Sequence, residues 1–324
     1  MDIVVCTDNN YVMPTGVMFH SICKNNQSED ITFHVIIDNG VTEDSKASLR
    51  AVVDDYSIQK KVVFYVIEGE KLSKLPCLGK NNSKDYITQA TYYRLFLTEF
   101  LPANIEKVLY LDVDMIVRGS LSELWNVDLG EYGVGVVPDA GEIVYNKYYR
   151  LHYSISKGYF NAGVILINLR KWRENDMLTK FVGFIDCHSD WIKYHDQDVL
   201  NYIFRDDKMI LPVKYNFQEG YLLETPLCDY WKYEAEISEA RNNPIIIHYT
   251  DNKPWWTDCK NPLKNIFYYY QSETIWKNTT LYMRPLKKRF LQKSKEIAKE
   301  FLVWRGICPP SILRRYIEVG NLNN

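Results

Sequence analysis

Asp112 and Asp114 stand two residues apart in KVLYLDVDMIVRG (107–119), directly after the apolar run Val108-Leu109-Tyr110-Leu111. Carboxylates spaced i, i+2 on an extended segment point the same way, so this pair can converge on one hard cation. The four residues before them have the continuous hydrophobicity of a strand buried on both faces of a parallel sheet. At the carboxyl end of such a strand, the pair occupies the position where open α/β sheets bind ligands. The motif by itself leaves three chemistries open: solvated aspartates closing a strand, a carboxylate nucleophile, or a metal site facing a diphosphate.

The elements that must position the pair alternate along the chain. Ile3–Cys6 reads as a first strand, followed by a polar turn, Thr7–Tyr11, and a helix opened by Pro14 and running to about Lys24. Ile31–Ile37 is a second strand, Thr42–Ser45 caps a helix reaching about Tyr56, and Val62–Ile67 is a third strand. Strands alternating with helices predict βαβ units and a mostly parallel, right-handed sheet. Leu75–Asp85 has loop composition, and Ala90–Phe100 reads as an amphipathic helix with Arg94 among aromatic residues. Gly133–Val137 and Ala162–Asn168 read as strands, Lys171–Asp186 and Val199–Phe204 as helices, and Ile245–Ile247 as a strand leading into His248. Between the first two of these, the polar, Tyr-rich stretch 139–156 suits an acceptor-side cleft. No Gly-x-Gly-x-x-Gly follows the first strand, which argues against a dinucleotide enzyme.

Composition narrows the class. The 324 residues, 46% of them hydrophobic, allow one large α/β domain with an appendage. Met1 is followed at once by strand-like sequence and no run of eighteen apolar residues occurs, so neither a signal peptide nor a spanning helix is expected. The seven cysteines are scattered without a Cys-x-x-Cys pair, as buried thiols of a reducing compartment would be. A cytoplasmic protein is expected. The formal charge of −2 conceals an asymmetry: from Lys277 to Gly320 there are eleven Lys/Arg against three Glu, which leaves the remainder at about −10. Leu286–Trp304 is a basic amphipathic helix with Phe290, Ile297, Phe301 and Trp304 on one side. It either packs on the main domain or lies peripherally on an anionic membrane, at the inner face of the cell membrane. Nucleic acid is not expected as a partner, because no reading motif accompanies the charge.

Other chemistry-bearing residues have a structural reading beside the functional one. Arg94 is either a surface charge or a cation facing Asp112; Asp196 and Asp198 are either helix caps or site groups; His248 is either a core imidazole or a ligand. A haloacid-dehalogenase-like phosphatase also carries Asp-x-Asp after an apolar strand. That motif normally opens its fold and has Thr or Val four positions after the first Asp, where this chain has Ile116.

Taken in order, VVCTDNNY, YYRLFL, YLDVDMIV, FNAGVILINL, HDQDVLN and HYTDNKPW make the chain resemble glycosyltransferase family 8 from near residue 3 to about residue 256. The family comprises retaining enzymes that include bacterial lipopolysaccharide galactosyl- and glucosyltransferases. The resemblance implies a GT-A fold, a Rossmann-like, mostly parallel sheet flanked by helices, over residues 1–276. Residues 277–324 then form a helical extension. It further implies a UDP-sugar donor, a glycan or glycoprotein acceptor, and Mn²⁺ or Mg²⁺ held by Asp112, Asp114 and His248. Cys6, Asp8, Asn10 and Tyr11 match the uridine segment, with Val113 beside the metal carboxylates. Arg94, Asn161, Ala162, Asp196 and Gln197 match positions around the donor sugar, and Lys253 matches the lysine on the diphosphate. The chain departs from the family in HYTDNKPW. Asp251 stands where the family has Gly, and Lys253 follows His248 by five residues rather than six. An aspartate at this point must turn away from a diphosphate. The resemblance also implies retention, and since Gln197 is a poor nucleophile, same-face substitution with Gln197 and Asp196 as the catalytic groups is expected. A non-catalytic nucleotide-sugar- or glycan-binding protein is the remaining alternative, motivated by Asp251.

Overall fold

A computed structural model describes residues 1–56, 59–67, 89–141, 146–224, 230–283, 286–309, 313 and 315–317. Seven strands form the main sheet: β1 (Asp2–Cys6), β2 (Ile31–Ile37), β3 (Lys60–Val66), β4 (Lys107–Leu111), β6 (Val134–Pro138), β7 (Phe160–Asn168) and β8 (Lys208–Ile210). Their spatial order is β3-β2-β1-β4-β7-β6-β8. The first four are parallel, β7 runs antiparallel to both β4 and β6, and β8 returns parallel to β6. A second sheet, β5 (Met115–Val117), β10 (Ile246–His248) and β9 (Phe217–Gln218), has β10 in the centre.

The sheet forms where the apolar runs predict it. Val108, Leu109 and Leu111 are 0% exposed and Tyr110 is 1% exposed. Each such side chain removed from water is worth about 1.5–3 kcal/mol. Leu109 and Leu111 pack into one cluster and Val108 and Tyr110 into another, because alternate residues of β4 face opposite layers of helices. Helix Val12–Asn25 lies on one face, where Val17, Met18, Phe19 and Ile22 are wholly buried.

Three local expectations are corrected. Residues 89–96 wind as a 3₁₀ helix and only Leu97–Phe100 is α-helical. Tyr92, Tyr93, Arg94, Leu95 and Phe96 are all buried, so residues 92–96 turn no face to solvent as an amphipathic helix would. The helix expected over Lys171–Asp186 is two, Leu169–Glu174 and Met177–Cys187. Asp176 breaks it by taking a left-handed conformation (φ 46°) and accepting a hydrogen bond from the Thr179 N–H. Among the cysteines, Cys6, Cys23 and Cys259 are buried free thiols, but Cys187 is exposed.

Leu286–Trp304 is helical as expected, and its apolar side is not packed on the main domain. Phe290 is 76% and Trp304 75% exposed. No helix among the described residues is long and apolar enough to cross a membrane. The loop expected at Leu75–Asp85, and Cys77 and Cys228, lie outside the described residues.

Candidate metal and donor site

The carboxyl ends of β1, β4 and β6 meet the first residues of β7 along one edge of the main sheet. The Asp112 N–H donates to the Gly163 carbonyl (2.8 Å), and Val137 is in register with Asn161. Asp112 and Asp114 lie in the bend between β4 and β5, where the chain passes from one sheet to the other. β10 pairs antiparallel with β5 and sets His248 opposite Met115. The three side chains expected to share a metal are therefore brought together, with one ligand atom from each inside a 4.8 Å cluster.

The orientation of the His248 ring follows from a backbone N–H. Gly163 N–H donates to Asn161 Oδ1 (2.9 Å), and the same oxygen accepts from Asn216 Nδ2 (2.9 Å). Asn216 must then present its Oδ1 to His248 Nδ1, 2.9 Å away, which places the proton on Nδ1. Nε2 faces the carboxylates, 3.2 Å from Asp114 Oδ1 and 3.8 Å from Asp112 Oδ2, and in the neutral ring it carries the free lone pair. A neutral imidazole oriented through its other nitrogen is the usual form of a histidine ligand.

The carboxylates are each half engaged. Asp112 Oδ1 accepts from Arg94 Nη2 (2.7 Å) and Tyr110 Oη (3.0 Å), while Oδ2 faces His248. Asp114 Oδ2 accepts from Lys253 Nζ, while Oδ1 is buried and carries no hydrogen bond. Burial alone would raise the Asp114 pKa, but the Lys253 ammonium outweighs it and holds the carboxyl well below the usual range. One buried, unsatisfied carboxylate oxygen, a second carboxylate oxygen and an imidazole nitrogen suit a divalent cation that accepts oxygen and nitrogen donors. The residues fit the group.

Arg94 joins the metal carboxylates to the sugar-side residues. It is buried, pairs with Asp112 and with Asp196 (Nε–Oδ2, 2.9 Å), donates to the Ala162 carbonyl, and lies over the Tyr110 ring at 4.3 Å. Of the two readings of Arg94, the inward one is observed. Asp196 is 2% exposed. Its burial pushes the carboxyl up to about 7 against the opposing pull of Arg94, and Asp112 adds to the rise. Gln197 is held at both ends of its amide: Oε1 accepts from the Ala162 N–H (3.0 Å), and Nε2 donates to Asp139 Oδ2 (3.1 Å) and Tyr159 Oη (3.2 Å).

Beyond the end of β1, Asp8 Oδ1 accepts from the Asn10 N–H (2.8 Å) and caps the turn Asn9–Tyr11. The Tyr11 ring meets the Trp255 edge at 5.9 Å, so this segment reaches the loop that follows His248. Cys6 lines the floor with its thiol pushed up to about 12 by burial, hence protonated and inert. Val113, between the two carboxylates, packs partly against the core. Lys253 is turned inward: besides Asp114, its ammonium donates to the carbonyls of Tyr249 (2.6 Å) and Thr250 (3.1 Å). Asp251 is half-buried, and its charge reaches the Tyr316 phenol.

Sequence reasoning did not single out Asn216, which orients His248, or Gly163 as its neighbour. It left Asp198 open between a helix cap and a site group. Asp198 is instead a fully buried carboxylate accepting from Arg150 (2.7 and 2.9 Å), Tyr159 (2.8 Å) and the N–H groups of Lys193 and Tyr194 (2.7 and 2.6 Å). The repeated Asp in HDQD was the available signal; Asn216 had none.

A family model described as glycosyl transferase family 8 matches residues 2–259. The chain is 34% identical over 269 residues to a putative glycosyltransferase of Haemophilus influenzae, spanning 81% of this chain and 74% of that protein. It is 28% identical over 316 residues to the lipopolysaccharide glucosyltransferase WaaO of Escherichia coli, spanning 94% of this chain and 88% of that one. Among solved structures, the galactosyltransferase LgtC in complex with donor and acceptor sugar analogues matches with a TM-score of 0.74 at 29% identity, over 90% of this chain and 99% of that chain. The phosphatase alternative is set aside. With the GT-A arrangement of LgtC and a family match over most of its length, the chain belongs to glycosyl transferase family 8.

Proposed function

We propose that this protein is a metal-dependent, retaining hexosyltransferase that moves galactose or glucose from a UDP-linked donor to a glycan or glycoprotein acceptor of the bacterial surface. The observation that carries the reading is Nε2 of His248 facing one oxygen each of Asp112 and Asp114, with Nδ1 held by Asn216. The names of relatives, lipopolysaccharide glucosyl- and galactosyltransferases among them, support the hexose and the surface glycan.

Asp112, Asp114 and His248 would hold Mn²⁺ or Mg²⁺. When bound, the ion acts as a Lewis acid that neutralises charge gathering on the leaving diphosphate. Asp8, Asn10 and Tyr11, over the Cys6 floor and beside Val113, receive the nucleoside. Lys253 meets the diphosphate. Arg94, Asn161 and Ala162 frame the hexose, and Asp196 holds its hydroxyls. Gln197 lies against the face on which positive charge develops, and the acceptor attacks from the side the diphosphate leaves. Residues 1–276 form the catalytic domain. The extension 277–324 holds a cytoplasmic protein peripherally on anionic lipid through the exposed face of Leu286–Trp304.

Isothermal titration of UDP with and without Mn²⁺, followed by hydrolysis of UDP-galactose and UDP-glucose without acceptor, tests the reading. UDP binding that Mn²⁺ tightens is expected; binding indifferent to metal overturns both donor and metal assignments. Binding without turnover of any UDP-sugar favours a non-catalytic binding protein. For the extension, a chain ending at Trp276 is expected to lose sedimentation with anionic vesicles, and equal sedimentation overturns the membrane role.

A further inference from the structure

Glu219 has no place in the machinery described so far, yet its carboxylate is 5% exposed and four donors converge on it. Asn252 supplies two of them, its side chain to Oε1 (2.6 Å) and its N–H to Oε2 (2.8 Å). Asn261 Nδ2 donates to Oε2 (3.2 Å), and Tyr316 Oη donates to Oε1. A carboxylate taken out of water is costly unless its lone pairs are matched, and here donors from three separate segments match them.

The third segment comes from near the end of the chain, beyond the exposed helix. Tyr316 faces Leu223 in an antiparallel bridge, the Glu224 N–H donates to the Arg315 carbonyl and the Ile317 N–H to the Leu222 carbonyl, both at 2.9 Å. The Tyr316 hydroxyl also accepts from Asn252 Nδ2 (2.9 Å). Asn252 adjoins Lys253, whose ammonium lies on Asp114, and the Tyr249 N–H donates to the Asp114 carbonyl (3.0 Å). The turn 249–253 is thus pinned on one side by Asp114 and on the other by Glu219 and the segment 315–317.

We propose that Tyr316 is a positioning residue for the donor site: through Glu219 and Asn252 it fixes the turn that presents Lys253, so the C-terminal segment completes the diphosphate side of the pocket. The inference rests on the assignment of Lys253 to the diphosphate made above. A group that orders a binding turn equally for ground state and transition state acts on donor KM and leaves kcat unchanged.

The test uses the full chain carrying Tyr316→Phe, which keeps the ring and deletes only the hydroxyl. Amide hydrogen exchange across 249–253 is expected to quicken in the ligand-free protein. The Kd for UDP with Mn²⁺, and the donor KM, should rise by up to about tenfold with little change in kcat, as loss of one hydrogen bond to a charged group allows. Asn252→Ala should do the same, and the double variant no more than either. Lys260→Ala cuts the ion pair between Lys260 and Glu296 of the exposed helix and should leave all three readouts at wild-type values. Exchange or UDP affinity unchanged in Tyr316→Phe overturns the inference alone. Wild-type protein that binds no UDP overturns the donor reading and this inference together.

Discussion

Gly163 lies so close to His248 that a Cβ built on it would stand 2.3 Å from Cε1 and 2.8 Å from Nδ1 of the imidazole. The same residue supplies the N–H that fixes Asn161, hence Asn216, hence the His248 tautomer. Gly163→Ala is therefore expected to displace the ring, and Asn216→Ala to release it. In both, Mn²⁺-dependent UDP binding should weaken by about 10- to 100-fold, the usual cost of disturbing the groups that orient a metal ligand. Calorimetry reads it directly, with circular dichroism confirming that the fold persists.

Gln197 is anchored at both ends of its amide rather than projecting freely. Gln197→Ala is expected to lower turnover on the order of 10²-fold, as removal of one group meeting developing charge does. The anomeric configuration of the product should be unchanged. Inversion, or trapping of a glycosyl-enzyme through residue 197 in the wild type, would show the residue to be a nucleophile.

With its carboxyl pushed up to about 7, Asp196 holds its proton in the native state where an unfolded aspartate has lost it. Between roughly pH 4 and 7 the native protein then binds more protons than the unfolded one, so this group makes stability fall as pH rises through that window. Asp196→Asn should remove the effect. Urea midpoints of the metal-free proteins, compared from pH 4 to 7, are expected to show the wild type losing ground to the variant.

Asp198→Ala leaves Arg150, Tyr159 and two backbone N–H groups without their shared acceptor. Breaking a buried ion pair from one side costs about 3–5 kcal/mol. Urea denaturation should show a loss of that size, with turnover also reduced because Tyr159 supports Gln197.

The parts of this molecule that announce themselves in sequence are those whose pattern matches their environment. β1 and β4 are buried on both faces and read as apolar runs after a polar first residue, and β2 is apolar but for Thr32 and His34. Asp112, Asp114 and His248 close such runs, so their position could be argued from strand ends alone. The second sheet is harder to read: β9 has two residues and β5 and β10 three each, too few for any period to emerge. Asn216 and Glu219 flank the shortest of these strands and owe their importance to partners 32 residues and more away. Arg94 was ambiguous because a cation among aromatics looks the same in sequence whether its neighbours cover it or leave it exposed. The inward turn of Lys253 onto Asp114 depends on the loop's shape, which spacing from His248 does not encode.

β7 enters the sheet from the ligand edge and runs opposite to β4, so its first residues stand beside Asp112 and its register with β4 is held from Val164 to Asn168. With Pro138 opposite Phe160, the stretch between β6 and β7 starts and finishes at one place, as the loop of a hairpin does. Doubling the length of such a loop adds only about 0.6 kcal/mol of closure entropy. Residues added within that stretch thus cost little so long as Asp139, Arg150 and Tyr159 keep their bonds to Gln197 and Asp198, and the strands that carry the charged centre stay in step.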